Sequence, residues 1–338
     1  MATKKHRASE RIAFFFEKYA TLSREECDAI AASIDPTCLS PTSIQGAFSY
    51  TLVGASQVVQ FRAKISPLNL SLVDIAKSIH GHLVARTFQF GIFGDESKGE
   101  NVVLVYCMER LQGENFSLLT ASTQLDALQH QKQERTVEGL ARFFAQSWKH
   151  PQPKTNEMVE KIHSGFSQKL ELLATNLPSR HHRLVQHCQK NLQYLSLPEI
   201  PWTITHGDLC DTNLLVDSLT GTLTGVPDWA EAEVLPFGLA LWGLQTLLGS
   251  MDEAESRWLY FSEYASLESI FWAEFTKNIA SLSEKQWMGI RIGHLLGLLC
   301  RHGFKFTGTG EIPKDDSWDL RILDGQLLAN EKKWLESD

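Results

Sequence analysis

The chain is short of the features that mark secreted, membrane-embedded and nucleic-acid-binding proteins. Six cysteines are scattered at Cys27, Cys38, Cys107, Cys188, Cys210 and Cys300, and no C-x-x-C pair occurs. At 338 residues the chain has no need of disulfide staples, so reduced thiols in a cytoplasmic protein are expected. The opening MATKKHRASE is charged, with no apolar run after it, which argues against a secretory signal. The most apolar stretches, Phe237–Gly249 and Gly289–Cys300, fall short of the roughly 20 residues a membrane span requires. They read as buried core helices, and no membrane partner is expected. Positive charge is also scarce: the formal net charge is -8, which argues against a nucleic-acid partner. Gly94 and Gly99 have phosphate-loop spacing, but Glu100 stands where lysine is required. No G-x-S-x-G elbow exists. His181, His182, His187 and Cys188 share one segment without the tight ligand pairs of a zinc site, so solvated helix histidines are expected.

What is present is an ordinary globular composition, 43% hydrophobic and 21% charged, in a length suited to two lobes. Arg11 to Ile34 has helical spacing, and Ser23 followed by Glu26 fits a capping box. From Gly46 to Lys64, aromatic and β-branched residues around two glycines predict strand, turn and strand. Leu68 to His82 is helix-like, and Thr87–Phe93 and Val102–Met108 read as strands about the polar loop GDESKGEN. After Gly113 the spacing is helical over Leu125–Trp148 and Asn156–Leu173. One β-like interruption lies between Trp202 and Trp229, and helices are expected from there to Trp334. The domains predicted are a helical extension (1–42), a strand-rich lobe (43–112) and a helical lobe (113–338). The fold class is α+β, with a small antiparallel-sheet lobe and a larger, mainly helical one.

The chemistry concentrates in His206-Gly207-Asp208-Leu209-Cys210-Asp211-Thr212-Asn213 and in Gly225-Val226-Pro227-Asp228-Trp229. Phosphoryl transfer needs a hard cation against the phosphates and a carboxylate to align the acceptor hydroxyl and take its proton. One loop that carries a carboxylate (Asp208) and, five residues on, an amide oxygen (Asn213) supplies base and metal ligand together. Asp228, after a hairpin, supplies a second carboxylate. The stretch matches the kinase loop pattern H-R-D-L-x-x-x-N, with Gly207 in place of arginine. Any one of these residues alone would read as a capped turn; their joint spacing does not.

H-G-D-L-x-x-x-N followed by G-x-x-D-W resembles the signature of the aminoglycoside phosphotransferase and choline kinase-like family, which has a two-lobed protein-kinase-like fold. The run DWAEAEVLPFGLALWGLQTLLG looks like that of its fungal members. The resemblance spans roughly 45–250 and implies ATP and Mg²⁺ as cofactors. It implies Asp208 as catalytic base, Asn213 and Asp228 as Mg²⁺ ligands, and His206 as a brace for the loop. Gly46, Phe48 and Ser49 lie where the family covers the phosphates, and an ordinary hairpin is the alternative. On the next strand, alternation places Gln60, Arg62 and Lys64 on one face. Arg62 stands where the family carries the phosphate-binding cation, with Lys64 as the rival. Asp74, on the following helix, is its candidate partner or else a solvated acid. Glu109 and Leu111 would hydrogen-bond the adenine through their backbone.

The reaction so implied moves the γ-phosphoryl of ATP to a hydroxyl of a small-molecule acceptor. Aminoglycoside, choline, sugar and secondary-metabolite alcohols all stay open. Glu231 and Glu233 form either an acidic rim for a cationic acceptor or a solvated loop. The alternative is a nucleotide-binding pseudokinase acting as an interaction module, suggested by the sparse glycines, Arg62 and Pro227. Against it stands the presence of Asp208, Asn213 and Asp228 together. Pro236 follows Asp228 by only eight positions, too short for the activation segment of a protein kinase.

Overall fold

The computed structural model describes residues 2–94, 102–119, 126–252, 257–306, 310–314 and 320–335. The polar stretch 95–101, with Gly99 and Glu100, and Leu125, where a helix was expected to begin, lie outside the described residues. In chain order the elements begin with α1 (Ala2–Lys18), α2 (Arg24–Ile34), β1 (Ser40–Pro41), β2 (Ser49–Val53), β3 (Gln57–Ala63), α3 (Leu70–His80), β4 (Thr87–Phe93) and β5 (Val103–Glu109). Next come β6 (Glu114–Asn115), α4 (Phe116–Leu119), α5 (Ala127–Lys149), α6 (Asn156–Asn176), α7 (His182–Asn191), β7 (Trp202–Thr205), β8 (Leu215–Val216), β9 (Leu223–Gly225) and β10 (Glu233–Pro236). The last are α8 (Trp242–Leu248), β11 (Gly249–Asp252), β12 (Arg257–Tyr260), α9 (Tyr264–Lys277), α10 (Glu284–Gly303), β13 (Phe304–Phe306), β14 (Glu311–Pro313), α11 (Arg321–Leu327) and α12 (Glu331–Leu335). The chain forms two compact units, one of 1–113 with 224–232 and one of 114–223 with 233–338.

The first unit is built on a five-stranded antiparallel sheet, ordered β1-β2-β3-β5-β4. The expected first helix is two helices, because the Ser23–Glu26 capping box starts α2 afresh. Phe15, Cys27 and Ala31 of that pair pack on Tyr50, Val59, Phe61 and Val105. Alternation along β3 sends Val59, Phe61 and Ala63 into this core and leaves Gln60 and Arg62 for the opposite face. There Leu68, Leu104 and Tyr106 cluster with Ala230.

In the second unit, α5, α6 and α10 start on side-chain caps from Asp126, Thr155 and Ser283. Leu170, Leu173, Leu184 and Cys188 bury against Leu295, Leu296 and Leu299. Two expectations need correction here. Phe237–Gly249 is not one helix: Gly238 turns at φ 109°, and only Trp242–Leu248 is α-helical. The C-terminal half is not purely helical, since β11 pairs β12 and β13 pairs β14. No described helix is long and apolar enough to cross a membrane.

Candidate active site

In the sheet unit the site residues gather around Arg62. It lies on β3 between Ser49 of β2 and Leu104 of β5, with a side chain only 6% exposed. Its guanidinium is anchored by Ser66, with Nε donating to the main-chain oxygen and Nη2 to Oγ at 3.0 Å. Nη1 donates to Gln60 Oε1 at 3.3 Å and lies 3.7 Å from Asp228 Oδ1. Burial holds the Arg62 pKa below the usual value, with Asp228, Tyr106 and Glu231 opposing the shift. Asp228 has a φ of 64°, the single positive φ outside glycine among the described residues. The segment carrying it is fastened within the unit by Val226 N–H to Leu83 O at 2.7 Å and Trp229 Nε1 to Val226 O at 2.8 Å. The Trp229 ring stacks on His80 at 5.9 Å.

The other expected residues of this unit fall at differing distances from that cluster. Gly46 and Phe48 lie in the connection between β1 and β2, and Ser49 opens β2 opposite Arg62. A Cβ on Gly46 would meet Ser49 Oγ at 2.9 Å, so the glycine keeps that turn close. Lys64 is exposed and lies past the end of β3, which stops at Ala63. It therefore does not share the strand face expected for it. Asp74 is exposed on α3, and no ion pair joins it to Arg62 among the described residues. The carboxylate beside Arg62 is Asp228 instead. Glu109 ends β5, with its N–H donating to Arg86 O and its side chain accepting from Lys77 Nζ at 3.0 Å and Arg86 N–H at 3.0 Å. Those bonds hold its carboxyl below the usual range, the Arg86 N–H first. Leu111 follows in a half-buried, irregular link.

In the helical unit, β7 pairs antiparallel with β10, Thr205 opposite Glu233 and Trp202 opposite Pro236. That pairing brings together the two ends of the chain from 206 to 232. His206 is buried, and its Nδ1 accepts the Asp208 N–H at 3.2 Å. Asn213 Nδ2 donates to the Asp208 main-chain oxygen at 2.8 Å and to its Oδ2 at 3.0 Å. Both amide hydrogens of Asn213 have acceptors there, which leaves its Oδ1 as a hard ligand atom. Asp208 Oδ1 accepts from Arg301 Nη2, on the last turn of α10. The Arg301 guanidinium lies over the Trp242 ring, 4.6 Å from its centroid. Neither Arg301 nor Trp242 was legible in the sequence as a site residue: Trp242 read as part of an apolar core helix, and Arg301 is 93 positions from Asp208.

Burial and then the Asp208 charge push the Cys210 thiol, in the same loop, up to about 11, which disfavours the thiolate. Burial raises the Glu233 carboxyl above its usual range, with the charges of Lys169 and Lys161 opposing the shift. Glu231 belongs to the other unit and acts on Arg62. The histidine segment is not solvated throughout. His181 is fully buried and bonded to Asp324 Oδ1 at 2.7 Å, and Cys188 is buried as well.

The model of the phosphotransferase enzyme family (APH) matches residues 74–262, more than half of the chain. The chain belongs to that family. The match contains Asp208, Asn213 and Asp228, and the protein is a phosphotransferase. Among solved structures, a GDP complex of aminoglycoside 2′-phosphotransferase-IIIa is similar at 15% identity and a TM-score of 0.48, over 92% of this chain and 99% of that one. Macrolide 2′-phosphotransferase type I is similar at 13% identity and a TM-score of 0.49, over 82% and 91%. Aminoglycoside-3′-phosphotransferase of type VIII is similar at 16% identity and a TM-score of 0.47, over 81% and 98%. No curated protein sequence matches the chain.

Proposed function

We propose that this phosphotransferase moves the γ-phosphoryl of ATP to a hydroxyl of a small molecule, with Asp208 as catalytic base. The observation that carries the reading is the pair of bonds from Asn213 Nδ2 to the Asp208 main chain and carboxylate. They fix base and amide as one unit, and phosphoryl transfer draws most of its rate from such positioning. The hydroxyl proton passes to Asp208, the acceptor oxygen bonds to the γ-phosphorus, and the bond from that phosphorus to the β-phosphate oxygen breaks, releasing ADP. His206 holds the Asp208 backbone and does not touch the substrate.

The donor set suits Mg²⁺. Asn213 offers an amide oxygen and Asp228 a carboxylate 39% exposed, both hard oxygens of the kind that ion prefers. Mg²⁺ held by such oxygens would neutralise charge on the phosphates. Arg62 would supply the fixed cation for the α/β-phosphates, with Gly46, Phe48 and Ser49 covering them and the backbone of Glu109 and Leu111 holding the adenine.

The test is a thermal-shift titration with ATP, with and without Mg²⁺, followed by an acceptor screen read as ADP release. Mg²⁺-dependent stabilisation by ATP is expected, and Asp208→Asn should lower kcat by about 100-fold or more while sparing ATP affinity. Wild-type turnover in Asp208→Asn would remove Asp208 from the chemistry. ATP binding with no turnover of any acceptor would favour an interaction module.

A further inference from the structure

The guanidinium of Arg62 is held by residues close to it along the chain. Of its five N–H groups, Nε–H donates to Ser66 O, one on Nη2 to Ser66 Oγ, and one on Nη1 to Gln60 Oε1. One N–H on each of Nη1 and Nη2 is left without a hydrogen bond among the described residues. Two such donors on one planar group suit a phosphate. Ser66 reaches Arg62 because the chain turns directly after β3. Its N–H donates to Ala63 O at 2.9 Å, closing a β-turn over residues 63–66. The turn sets the Ser66 carbonyl and hydroxyl against a side chain four positions back. Gln60 is fixed as well: it is buried, and its Nε2 donates to Oγ1 of Thr51, its partner on β2, at 3.1 Å.

In protein kinases the equivalent cation is fixed by a carboxylate on the helix that follows the strand. Here that helix is α3, and its Asp74 is exposed and makes no ion pair with Arg62 among the described residues. The carboxylate near Arg62 is Asp228, whose Oδ1 lies 3.7 Å from Nη1, too far for a hydrogen bond. An unanchored arginine side chain has many rotamers, and the opposite charge of Asp228 would draw a loose guanidinium into a direct bond. Closed on Asp228, Arg62 would lose a donor to the phosphates and would occupy the carboxylate offered to Mg²⁺. The bonds from Ser66 and Gln60 oppose that closure.

We propose that Ser66 and Gln60 are positioning residues for nucleotide binding, holding the Arg62 guanidinium off Asp228 with an N–H of each terminal nitrogen open to the phosphates. A turn adjoining the strand thereby does what a helix carboxylate does in protein kinases, and α3 has no part in setting the cation. This rests on the assignment of Arg62 to the α/β-phosphates given above.

The test is a double-mutant cycle, read by calorimetric binding of Mg-ADP and by steady-state kinetics with Mg-ATP. Ser66→Ala removes the hydroxyl acceptor, and Gln60→Met removes the amide oxygen from a side chain of similar size. Each should raise the ADP Kd and the ATP KM about 3- to 10-fold while changing kcat by less than about twofold. Ser66→Thr keeps a hydroxyl and should bind ADP as the wild type does. In the Arg62→Ala background neither Ser66→Ala nor Gln60→Met should weaken ADP binding further. Asp74→Ala should leave ADP binding unchanged. The proposal is overturned if either Ser66→Ala or Gln60→Met, with a melting temperature near wild type, binds ADP as tightly as the wild type. It is overturned equally if Ser66→Thr binds no better than Ser66→Ala, if the effects add to that of Arg62→Ala, or if Asp74→Ala weakens binding as much as they do. Wild-type ADP affinity in Arg62→Ala itself sinks the assignment of Arg62 beneath the proposal.

Discussion

Asp228 holds a left-handed backbone conformation that costs an ordinary L-residue about 1–2 kcal/mol, and aspartate and asparagine visit it most readily. Asparagine is thus the substitution that removes the charge while keeping the turn. Asp228→Asn should leave the melting temperature close to wild type and weaken ATP binding in the presence of Mg²⁺ far more than in its absence. Equal weakening in both conditions would dissociate Asp228 from the metal. The two cations near the end of β3 separate in the same way. Arg62 is buried, hydrogen-bonded to Ser66 and Gln60 and ion-paired with Asp228 at 3.7 Å, whereas Lys64 is exposed beyond the strand. Arg62→Ala should raise the ATP KM about tenfold or more, and Lys64→Ala should change it by less than about twofold. The reverse ranking in steady-state kinetics would move the phosphate contact to Lys64. Asp208, Asn213, Asp228 and Arg62 were legible in the sequence because motif spacing and strand alternation are local. The pairing of Arg62 with Asp228 rather than Asp74 was not, because it depends on where a segment 166 positions away returns to the sheet.

At the scale of elements, α10 shows how packing overrides propensity. It carries Gly289, Gly293 and Gly297, spaced by four along one face of the helix. Alanine in a helix interior ordinarily gains about 1 kcal/mol over glycine. A Cβ on Gly297, however, would come 2.2 Å from Leu239 O, and one on Gly293 would come 3.0 Å from Phe237 O. Those neighbours are backbone and cannot swing aside. Overpacking of this kind costs about 1–3 kcal/mol or more, so the expected sign reverses: Gly297→Ala should lower stability in urea unfolding. A gain in stability would show that the segment at 237–239 yields. The same close approach explains the misread helix at Phe237–Gly249. Its apolar residues satisfied a helical reading, but Gly238 at φ 109° sits against Ile290 and Gly293 of α10 and breaks the run. The sheet strands β2, β3, β4 and β5 and the long helices α5, α6 and α10 were legible, since each carries its own periodicity. The short hairpins β11–β12 and β13–β14 were not, because strands of three or four residues show no period.

Across the whole molecule, stability should depend on pH through histidines that folding buries uncharged. His302 lies beside the Trp242 ring at 6.1 Å, and burial, helped by the charges of Arg301 and Lys314, pushes its pKa down to about 3. His294, under Trp334 at 5.0 Å, is likewise held well below the usual value by burial. Folded, His302 takes a proton only below about pH 3; unfolded, an ordinary imidazole takes one below about 6.5. Between those values the unfolded chain binds the extra proton. Stability from this site is therefore complete above about pH 6.5 and is lost as the pH falls toward 3. For His302 alone the loss between pH 7.5 and 5 is about 2 kcal/mol, and His294 adds in the same direction. Carboxylates whose pKa values lie below the ordinary range, such as Asp217, act only at lower pH and do not blur this window. Urea midpoints measured at pH 7.5, 6 and 5 should fall steadily, with little change above 7. In His302→Asn, which cannot titrate, the drop between pH 7.5 and 5 should shrink by about half. An undiminished drop in that variant would mean that His302 is protonated in the folded protein at pH 5, and so that the buried, neutral ring beside Trp242 is wrong.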